Sequence, residues 1–198
     1  MYKFKILIEG YARTGANGVY FASPTSSLIY DEKVKVLVDP GTNADALRSS
    51  FEREEMEFKD IDIVFLTHYH PDHFLNIRLF PNVDLYDGTT RWHGDQEHFY
   101  EGRLPGTDIE LVPTPGHTME QTSLVIETVE YGIVFVCQDV FWWEDGKQKS
   151  DNVNDLLNNP DPFMASWKDL QNSRKIVLDR ADWIVPGHGK MFRNPRRN

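Results

Sequence analysis

The sequence predicts an α/β fold, and two observations lead to it. Short apolar runs typical of buried strands alternate along the chain with segments whose apolar residues recur at helical spacing. Four of the apolar runs also end close to side chains of the kinds that bind metals. These four runs cover residues 61–66, 109–112, 131–137 and 183–185. Because functional residues are usually held on loops above a rigid sheet, we expect the four strand ends to contribute to a site.

The N-terminal third is predicted to contain three strands and one helix. The strands cover residues 4–9, 27–30 and 34–38. Glycines within 11–18 indicate a loop after the first strand, and the polar turn at 31–33 joins the other two. The Asp-Pro-Gly sequence at 39–41 ends the third strand. Residues 43–58 are predicted to be helical because their apolar residues form a stripe at helical spacing.

The C-terminal third is predicted to contain one more helix. Asp161 is typical of an N-cap, and Pro162 suits the first helical position. The apolar residues that follow at helical spacing are interpreted as a core-facing stripe: Phe163, Trp167, Leu170 and Val177. Residues 93–106 show no regular pattern and are predicted to form a surface loop or a short helix.

The composition is that of an ordinary globular protein. The chain has 198 residues, of which 40% are hydrophobic and 26% charged, so one domain over 1–198 is expected. A formal net charge of -10 argues against broad nucleic-acid binding, which depends on Lys and Arg neutralising phosphates. The single cysteine, Cys137, lies in an apolar run, so it is expected to pack in the core and cannot form an intrachain disulfide.

The sequence also predicts where the protein is found. No apolar stretch approaches the roughly 20 residues that a membrane helix needs. The apolar segment at the N-terminus is short and is interrupted by Glu9, unlike a secretory signal peptide. We therefore expect a cytoplasmic protein with no membrane partner. Aromatic residues make up 13% of the chain and would support a homodimer where they are exposed.

Residues 68–73, which read His-Tyr-His-Pro-Asp-His, carry the main functional signal. Four of them offer groups that bind divalent metals: His68, His70, Asp72 and His73. A single turn cannot complete a coordination sphere, so further ligands must come from elsewhere in the chain. Three more donors each follow an apolar strand: His117, Asp139 and His188. His93 and His98 are interpreted instead as surface residues.

These residues, in this order, resemble the metallo-β-lactamase superfamily. The resemblance spans almost the whole chain and includes three further motifs, at 37–41, 114–118 and 185–189. Within the superfamily the chain is most similar to the metallo-β-lactamase domain-containing protein 1 type. That narrower similarity includes Ile8-Glu9-Gly10-Tyr11 and the segment 76–81 that follows the histidine motif.

The resemblance implies a four-layer αββα sandwich formed by a single domain over residues 1–198. It also implies two divalent metal ions, with zinc expected and iron or manganese as alternatives. By analogy the first metal would be held by His68, His70 and His117. The second would be held by Asp72, His73 and His188. Asp139 would bridge the two metals, and Asp39 would orient the histidine loop. Gln138 departs from the superfamily, where glycine often precedes the bridging aspartate.

The function implied is metal-dependent hydrolysis by a hydroxide that bridges the metals. Asp72 would orient this nucleophile and shuttle its proton, and a site of net positive charge would favour substrates with a carbonyl, carboxylate or phosphate oxygen. A small ester, thioester, lactone or amide is the first hypothesis for the substrate. Candidate substrate-binding residues near the site loops are Tyr11, Phe141, Trp142 and Trp143, although the last three could equally pack in the core.

Two other functions remain open at this stage. One is a phosphodiesterase or endoribonuclease acting on RNA, because the resembled type has been linked to RNA 3′ processing and two metals suit phosphodiester cleavage. Against it, the net charge is acidic, and the one basic cluster is the tail from Lys190 to Arg197. The other is a mononuclear iron enzyme that oxidises sulfur compounds, in which Asp72 and His188 would hold no metal.

Overall fold

Two β-sheets form the centre of the protein. The computed structural model describes residues 1–197. The first sheet has the spatial order β1 (Lys3–Ile8), β4 (Ser26–Tyr30), β5 (Lys35–Val38), β6 (Ile63–Phe65), β7 (Asp84–Tyr86), β8 (Thr90–His93) and β9 (Gln96–Phe99). The second has the order β10 (Glu110–Pro113), β11 (Thr122–Thr128), β12 (Gly132–Gln138), β13 (Trp183–Pro186) and β14 (Phe192–Arg193). A separate hairpin pairs β2 (Tyr11–Thr14) with β3 (Tyr20–Ser23).

Four α-helices accompany the sheets within residues 1–197. They are α1 (Ala44–Arg53), α2 (Pro71–Phe74), α3 (Val153–Leu157) and α4 (Trp167–Arg180). Short 3-10 helices cover Ala16–Gly18, Phe58–Asp60, Leu75–Leu79 and Pro195–Arg197. None of the helices in this described range is long and apolar enough to cross a bilayer.

The apolar pattern of the strands explains the layering. Side chains alternate between the two faces of a strand, so a strand with apolar residues at every position is buried on both sides. In β5, Val36 and Val38 join the core between the sheets, whereas Leu37 packs outward in the cluster that contains α1. In β12, Val136 belongs to the central core and Phe135 to the outer cluster that contains α3 and α4. The order helix, sheet, sheet, helix confirms the predicted αββα sandwich.

The site lies where parallel strands end. β5, β6 and β7 run parallel in the first sheet, and β12 and β13 run parallel in the second. The carboxyl ends of parallel neighbours lie at the same sheet edge, which is where open α/β sheets usually place their sites. Asp39 follows β5, His68 follows β6, Asp139 follows β12 and His188 follows β13.

The N-terminal elements are confirmed with two corrections. The region 11–18, predicted as a loop, contains β2 and the turn that leads into β3. The helix predicted over 43–58 ends at Arg53, because Glu55 has a φ of 53° that a continuing right-handed helix cannot accommodate. Asn43 caps α1 by accepting a hydrogen bond from the Ala46 amide.

The C-terminal third contains two α-helices, α3 and α4, where one was predicted, and two further predictions are corrected. The last helix begins at Trp167 with Ser166 as its N-cap, so Asp161 does not cap it and Phe163 is exposed rather than part of its core face. The irregular stretch 93–106 instead contains β9 and the turn that joins it to β8. Cys137 is fully buried, as predicted, and burial raises the pKa of its thiol.

Candidate metal centre

The histidine loop is held in place by Asp39. Its carboxylate accepts hydrogen bonds from the Thr67 amide at 2.9 Å and from the Thr67 hydroxyl at 2.6 Å. The same carboxylate lies 2.8 Å from Nδ1 of His73. Pro71 occupies the first position of α2, which turns the chain directly after His70. One buried carboxylate therefore sets the geometry at both ends of the loop.

The partners of Nδ1 decide which ring nitrogen of four histidines faces the site. Nδ1 of His73 faces Asp39, and Nδ1 of His117 lies 2.7 Å from Asp161. Nδ1 of His188 lies 3.0 Å from the Tyr11 and Ser23 carbonyl oxygens, which can only accept a hydrogen bond.

Nδ1 of the fourth, His68, lies 3.1 Å from the Thr67 hydroxyl, which itself donates to Asp39. A neutral imidazole that donates from Nδ1 carries its lone pair on Nε2. In their neutral form, all four rings therefore present Nε2 lone pairs.

The first group of candidate ligand atoms, called ligand atoms below, comprises three imidazole nitrogens and a carboxylate oxygen of Asp139. Nδ1 of His70 lies 2.9 Å from Nε2 of His117 and 3.2 Å from Nε2 of His68. Oδ2 of Asp139 lies 3.1 Å from Nε2 of His117. All four ligand atoms of this group lie within 4.8 Å of one another. Converging lone pairs repel each other unless a proton or a cation lies between them, so this arrangement favours a bound cation.

A second group lies beside the first. Nε2 of His188 is 3.4 Å from Oδ2 of Asp72, and Nε2 of His73 is 4.0 Å from the same oxygen. Asp139 contacts this group as well, because its Oδ2 lies 3.6 Å from Nε2 of His73 and its Oδ1 lies 3.8 Å from Nε2 of His188. Asp139 therefore lies between the two groups.

Among the residues of the two groups, two buried side-chain atoms have no hydrogen-bond partner. Nε2 of His73 and Oδ1 of Asp139 are inaccessible to solvent and make no hydrogen bond. A buried polar atom without a partner costs about 1–3 kcal/mol, so such atoms call for an explanation. A divalent cation would satisfy both, because imidazole nitrogen and carboxylate oxygen are ligands of zinc and related metals. The residues present therefore fit the metal centre that the resemblance implies.

The charges around the site also favour cations. Asp39, Asp139 and Asp161 are buried, and within residues 1–197 neither they nor Asp72 forms a salt bridge with a lysine or an arginine. Burial opposes protonation of His117, but Asp139 and Asp161 outweigh it and raise the pKa of His117 to about 9. Metal binding would displace such a proton, which couples metal affinity to pH.

The backbone at Gly187 and at Gln138 determines where the Asp139 carboxylate lies. A Cβ added at Gly187 would lie 1.7 Å from Oδ1 of Asp139, so only glycine leaves room for this carboxylate. Gln138 has a φ of 46°, a left-handed conformation that glycine adopts without strain. This explains why glycine suits the position before the aspartate. The Gln138 side chain compensates in part, because its amide donates to the Thr25 carbonyl.

A cavity of about 330 Å³ opens over the ligand groups. Its lining comprises Ala12, Tyr20, Ala22, His70, Pro71, Asp72, His117, Asp139, Trp142, Phe163 and His188. Trp142 is the one aromatic candidate from the sequence that lines this cavity. Phe141 and Trp143 lie in the outer core cluster, and Tyr11 instead contributes its carbonyl oxygen to His188.

The comparisons with known proteins identify the family. Residues 19–103 match the profile of the Metallo-beta-lactamase superfamily. Metallo-beta-lactamase domain-containing protein 1 of Xenopus laevis is 30% identical over 198 residues, which cover 95% of this chain and 80% of that protein. The chain belongs to the metallo-beta-lactamase superfamily. Its αββα sandwich is therefore the superfamily fold, which hydrolases such as lactonases share.

Solved structures of other superfamily members have the same fold. A metallo-beta-lactamase-like protein of Thermotoga maritima superposes with a TM-score of 0.72 at 20% identity, covering 97% of this chain and 99% of that one. An N-acyl homoserine lactone hydrolase with N-hexanoyl-L-homoserine bound at its catalytic metal center superposes with a TM-score of 0.63 at 18% identity. That superposition covers 95% of this chain and 92% of the hydrolase.

Sequence reasoning missed the position of Asp161 behind His117 in this chain. The Asp-Pro pair was interpreted as a helix start, yet the Asp161 carboxylate is buried against His117. It also missed Tyr20 and Phe163, which line the cavity from a hairpin and from a loop. A pairing between residues 44 positions apart leaves no periodic signal in the sequence. The sequence offered one hint of this contact, because Asp161 is an acidic residue in a segment whose structure little else predicts.

We expect Asp161→Asn to weaken metal binding about 10- to 100-fold, the usual effect of removing a carboxylate that orients a ligating imidazole. Asparagine keeps the shape of the side chain but supplies no negative charge behind His117. Metal affinity can be measured by competition with a chromogenic chelator. Asp155→Asn, on the exposed side of α3, is the matched control and should bind metal as the unaltered protein does. Equal affinities in both variants would show that Asp161 does not support His117.

Proposed function

We propose that the chain is a metal-dependent hydrolase of small esters, thioesters, lactones or amides. The observation that carries this proposal is the presence of two groups of ligand atoms that share Asp139 at the wall of an open cavity. Membership of the metallo-beta-lactamase superfamily supports it, and so does the fold likeness to a lactone hydrolase.

The side chains of the two groups would hold two divalent metal ions, for which we propose zinc. His68, His70 and His117 would hold the first. Asp72, His73 and His188 would hold the second, with Asp139 shared between them. Metals bound in this way lower the pKa of coordinated water toward about 7 and polarise a carbonyl oxygen.

Asp72 is placed to handle the proton. Its side chain is one-quarter exposed and lines the cavity, unlike the buried Asp39 and Asp139. Burial opposes its ionisation, but the neighbouring imidazoles of His188, at 3.4 Å, and His73 hold the pKa of Asp72 below its ordinary value. Asp72 is therefore a carboxylate at neutral pH, so it can orient a water molecule and accept its proton.

The direct test is to measure metal content and hydrolysis together. Elemental mass spectrometry of the purified protein gives the metals per chain, and a thioester, a lactone and a phosphodiester serve as substrates. About two zinc or manganese ions per chain with turnover of the lactone or the thioester would support the proposal. Preferred turnover of the phosphodiester would favour the nuclease alternative. One iron per chain without hydrolysis would overturn the proposal and favour oxidation of sulfur compounds.

We expect His117→Ala to lose metal and hydrolysis together, because its Nε2 lies in the first ligand group. A loss of kcat/KM of about 100-fold or more is expected, as for removal of a group that acts directly in catalysis. His98→Ala is the control, because His98 is exposed on β9 away from the cavity lining. Retention of full metal content by His117→Ala would mean that the ligand assignment is wrong.

A further inference from the structure

We propose that an apolar recess beside the ligand groups binds an uncharged, apolar acyl or alkyl group of the substrate. The recess is formed by Ala12, Tyr20, Ala22, Trp142 and Phe163, and we call it the acyl recess. The inference deepens the proposed hydrolase function and rests on it. The substrates would be neutral esters and lactones with an apolar substituent. The small residues Ala12 and Ala22 would set the size of that substituent.

The hairpin of β2 and β3 provides one wall of the acyl recess. Ala12 lies directly opposite Ala22 in the antiparallel register, and Tyr20 shares their face because side chains alternate along a strand. The other face of the hairpin carries the cross-strand pair Arg13 and Phe21. Two alanines on the inner face leave space where larger side chains would fill the cavity. The hairpin therefore sets the width of the recess.

Two aromatic rings also line the recess. The rings of Trp142 and Phe163 are 5.7 Å apart, and Trp142 also stands at 81° to the ring of His188 at 6.1 Å. Trp142 is buried. Phe163 lies in no helix or strand, and its side chain is 61% exposed. A large apolar side chain at the mouth of a polar site gains free energy when a ligand covers it. Because Trp142 lies beside His188, which would hold a metal, an apolar group in the recess would lie next to the reacting atoms.

The charges around the recess disfavour an anionic substrate group there. Within residues 1–197, no lysine or arginine lines the cavity. The cation on the hairpin, Arg13, is engaged elsewhere, because it pairs with Asp145 at 3.1 Å and lies 4.7 Å from the Tyr11 ring. A phosphodiester chain depends on such cations to neutralise its phosphates. A neutral substrate has no such requirement.

The volume limits the size of the bound group. A water-sized group occupies about 30 Å³, so the cavity of about 330 Å³ has room for roughly ten non-hydrogen atoms. A lactone ring with a short alkyl substituent is of this size. Tyr20 and Phe163 are both exposed at the rim, so the far end of a longer chain would extend into solvent and add little affinity.

The test compares binding and turnover along a series of γ-lactones whose alkyl substituents have zero, two, five and eight carbons. Binding is measured by ligand-observed NMR with the metal-free protein, and kcat/KM with the zinc-loaded protein. We expect both to rise about tenfold or more up to five carbons and then to level off. Bis(p-nitrophenyl) phosphate, as the anionic probe, should bind the metal-free protein more weakly than the five-carbon lactone.

Ala22→Val narrows the recess and should remove the gain in affinity and in kcat/KM at five carbons. Ala16→Val makes the same chemical change at an exposed position in the turn of the hairpin, and should leave the whole series unchanged. If Ala22→Val does not fold, Phe163→Ala at the exposed rim serves instead and should weaken binding of the five-carbon lactone.

The outcomes separate the two proposals. Binding that depends on alkyl length without hydrolysis of any lactone, ester, thioester or amide that carries the same substituents would support the recess and overturn the hydrolase function. Hydrolysis with the same length dependence in Ala22→Val and Ala16→Val would overturn the recess and leave the hydrolase function standing. Tighter binding of the phosphodiester than of every lactone would also overturn it.

Discussion

Asp139→Asn is expected to lower kcat about 1000-fold and to reduce the metal content, because Asp139 contacts both groups of ligand atoms. Its carboxylate lies within 4 Å of four imidazole Nε2 atoms, at 3.1 Å from His117, 3.6 Å from His73, and 3.8 Å from both His68 and His188. Asparagine has almost the same shape but no negative charge, so packing around the position is kept while electrostatic attraction for cations falls.

Metal content by elemental mass spectrometry and kcat/KM with a lactone substrate measure the two parts of this effect. Asp179→Asn is the matched control, because Asp179 is an exposed residue of α4 that pairs with Arg196. It should retain full metal content and activity. An Asp139→Asn variant with unchanged metal content and unchanged kcat/KM would show that Asp139 is not shared between two metals.

Arg174→Met is expected to lower the free energy of unfolding by about 3 kcal/mol, because Arg174 is a fully buried cation that satisfies backbone carbonyls. Its Nε donates to the Val140 carbonyl at 3.0 Å. Its Nη1 donates to the Asn159 carbonyl at 2.6 Å and lies 3.4 Å from the Leu157 carbonyl. Methionine fills similar space but leaves these acceptors unpaired. Burial lowers the pKa of Arg174 to about 10, so the side chain stays charged at neutral pH.

The free energy of unfolding can be measured by urea denaturation of the metal-free proteins, which keeps metal binding out of the comparison. Arg180→Met, at the end of the same helix, is the control. The ion pair of Arg180 with Glu110 is about 40% exposed on both sides, so its loss should cost less than about 1 kcal/mol. A similar loss in both variants would contradict the role assigned to the buried guanidinium.

Local patterns predicted the elements that bury apolar residues on both faces. Strands such as Lys35–Val38 and Gly132–Gln138 contain continuous apolar runs, at 36–38 and 133–137, which indicate a strand covered on each side. The hairpins formed by β2–β3 and β8–β9 were missed because their strands carry mostly exposed residues. Without a buried face, a strand has no alternation of apolar and polar residues to detect.

The seven metal-ligand candidates could be named from the sequence because each stands in a short motif directly after a buried strand or on the histidine loop. Their convergence needs strands of each sheet to end at one edge and the two sheets to pack with those edges together. The order of residues therefore determined the fold class and the kind of side chains at the site. The motif at 185–189 also contains Gly187, where a Cβ would collide with Asp139.

The tertiary structure alone decided which residues support the ligands and which meet a substrate. Trp142 lines the cavity whereas its neighbours Phe141 and Trp143 lie in the core, because these three residues follow β12 in an irregular segment without a repeating direction. Asp161 reaches His117 across 44 residues of chain. Such contacts depend on how distant segments pack against one another, and no local spacing in the sequence encodes that packing.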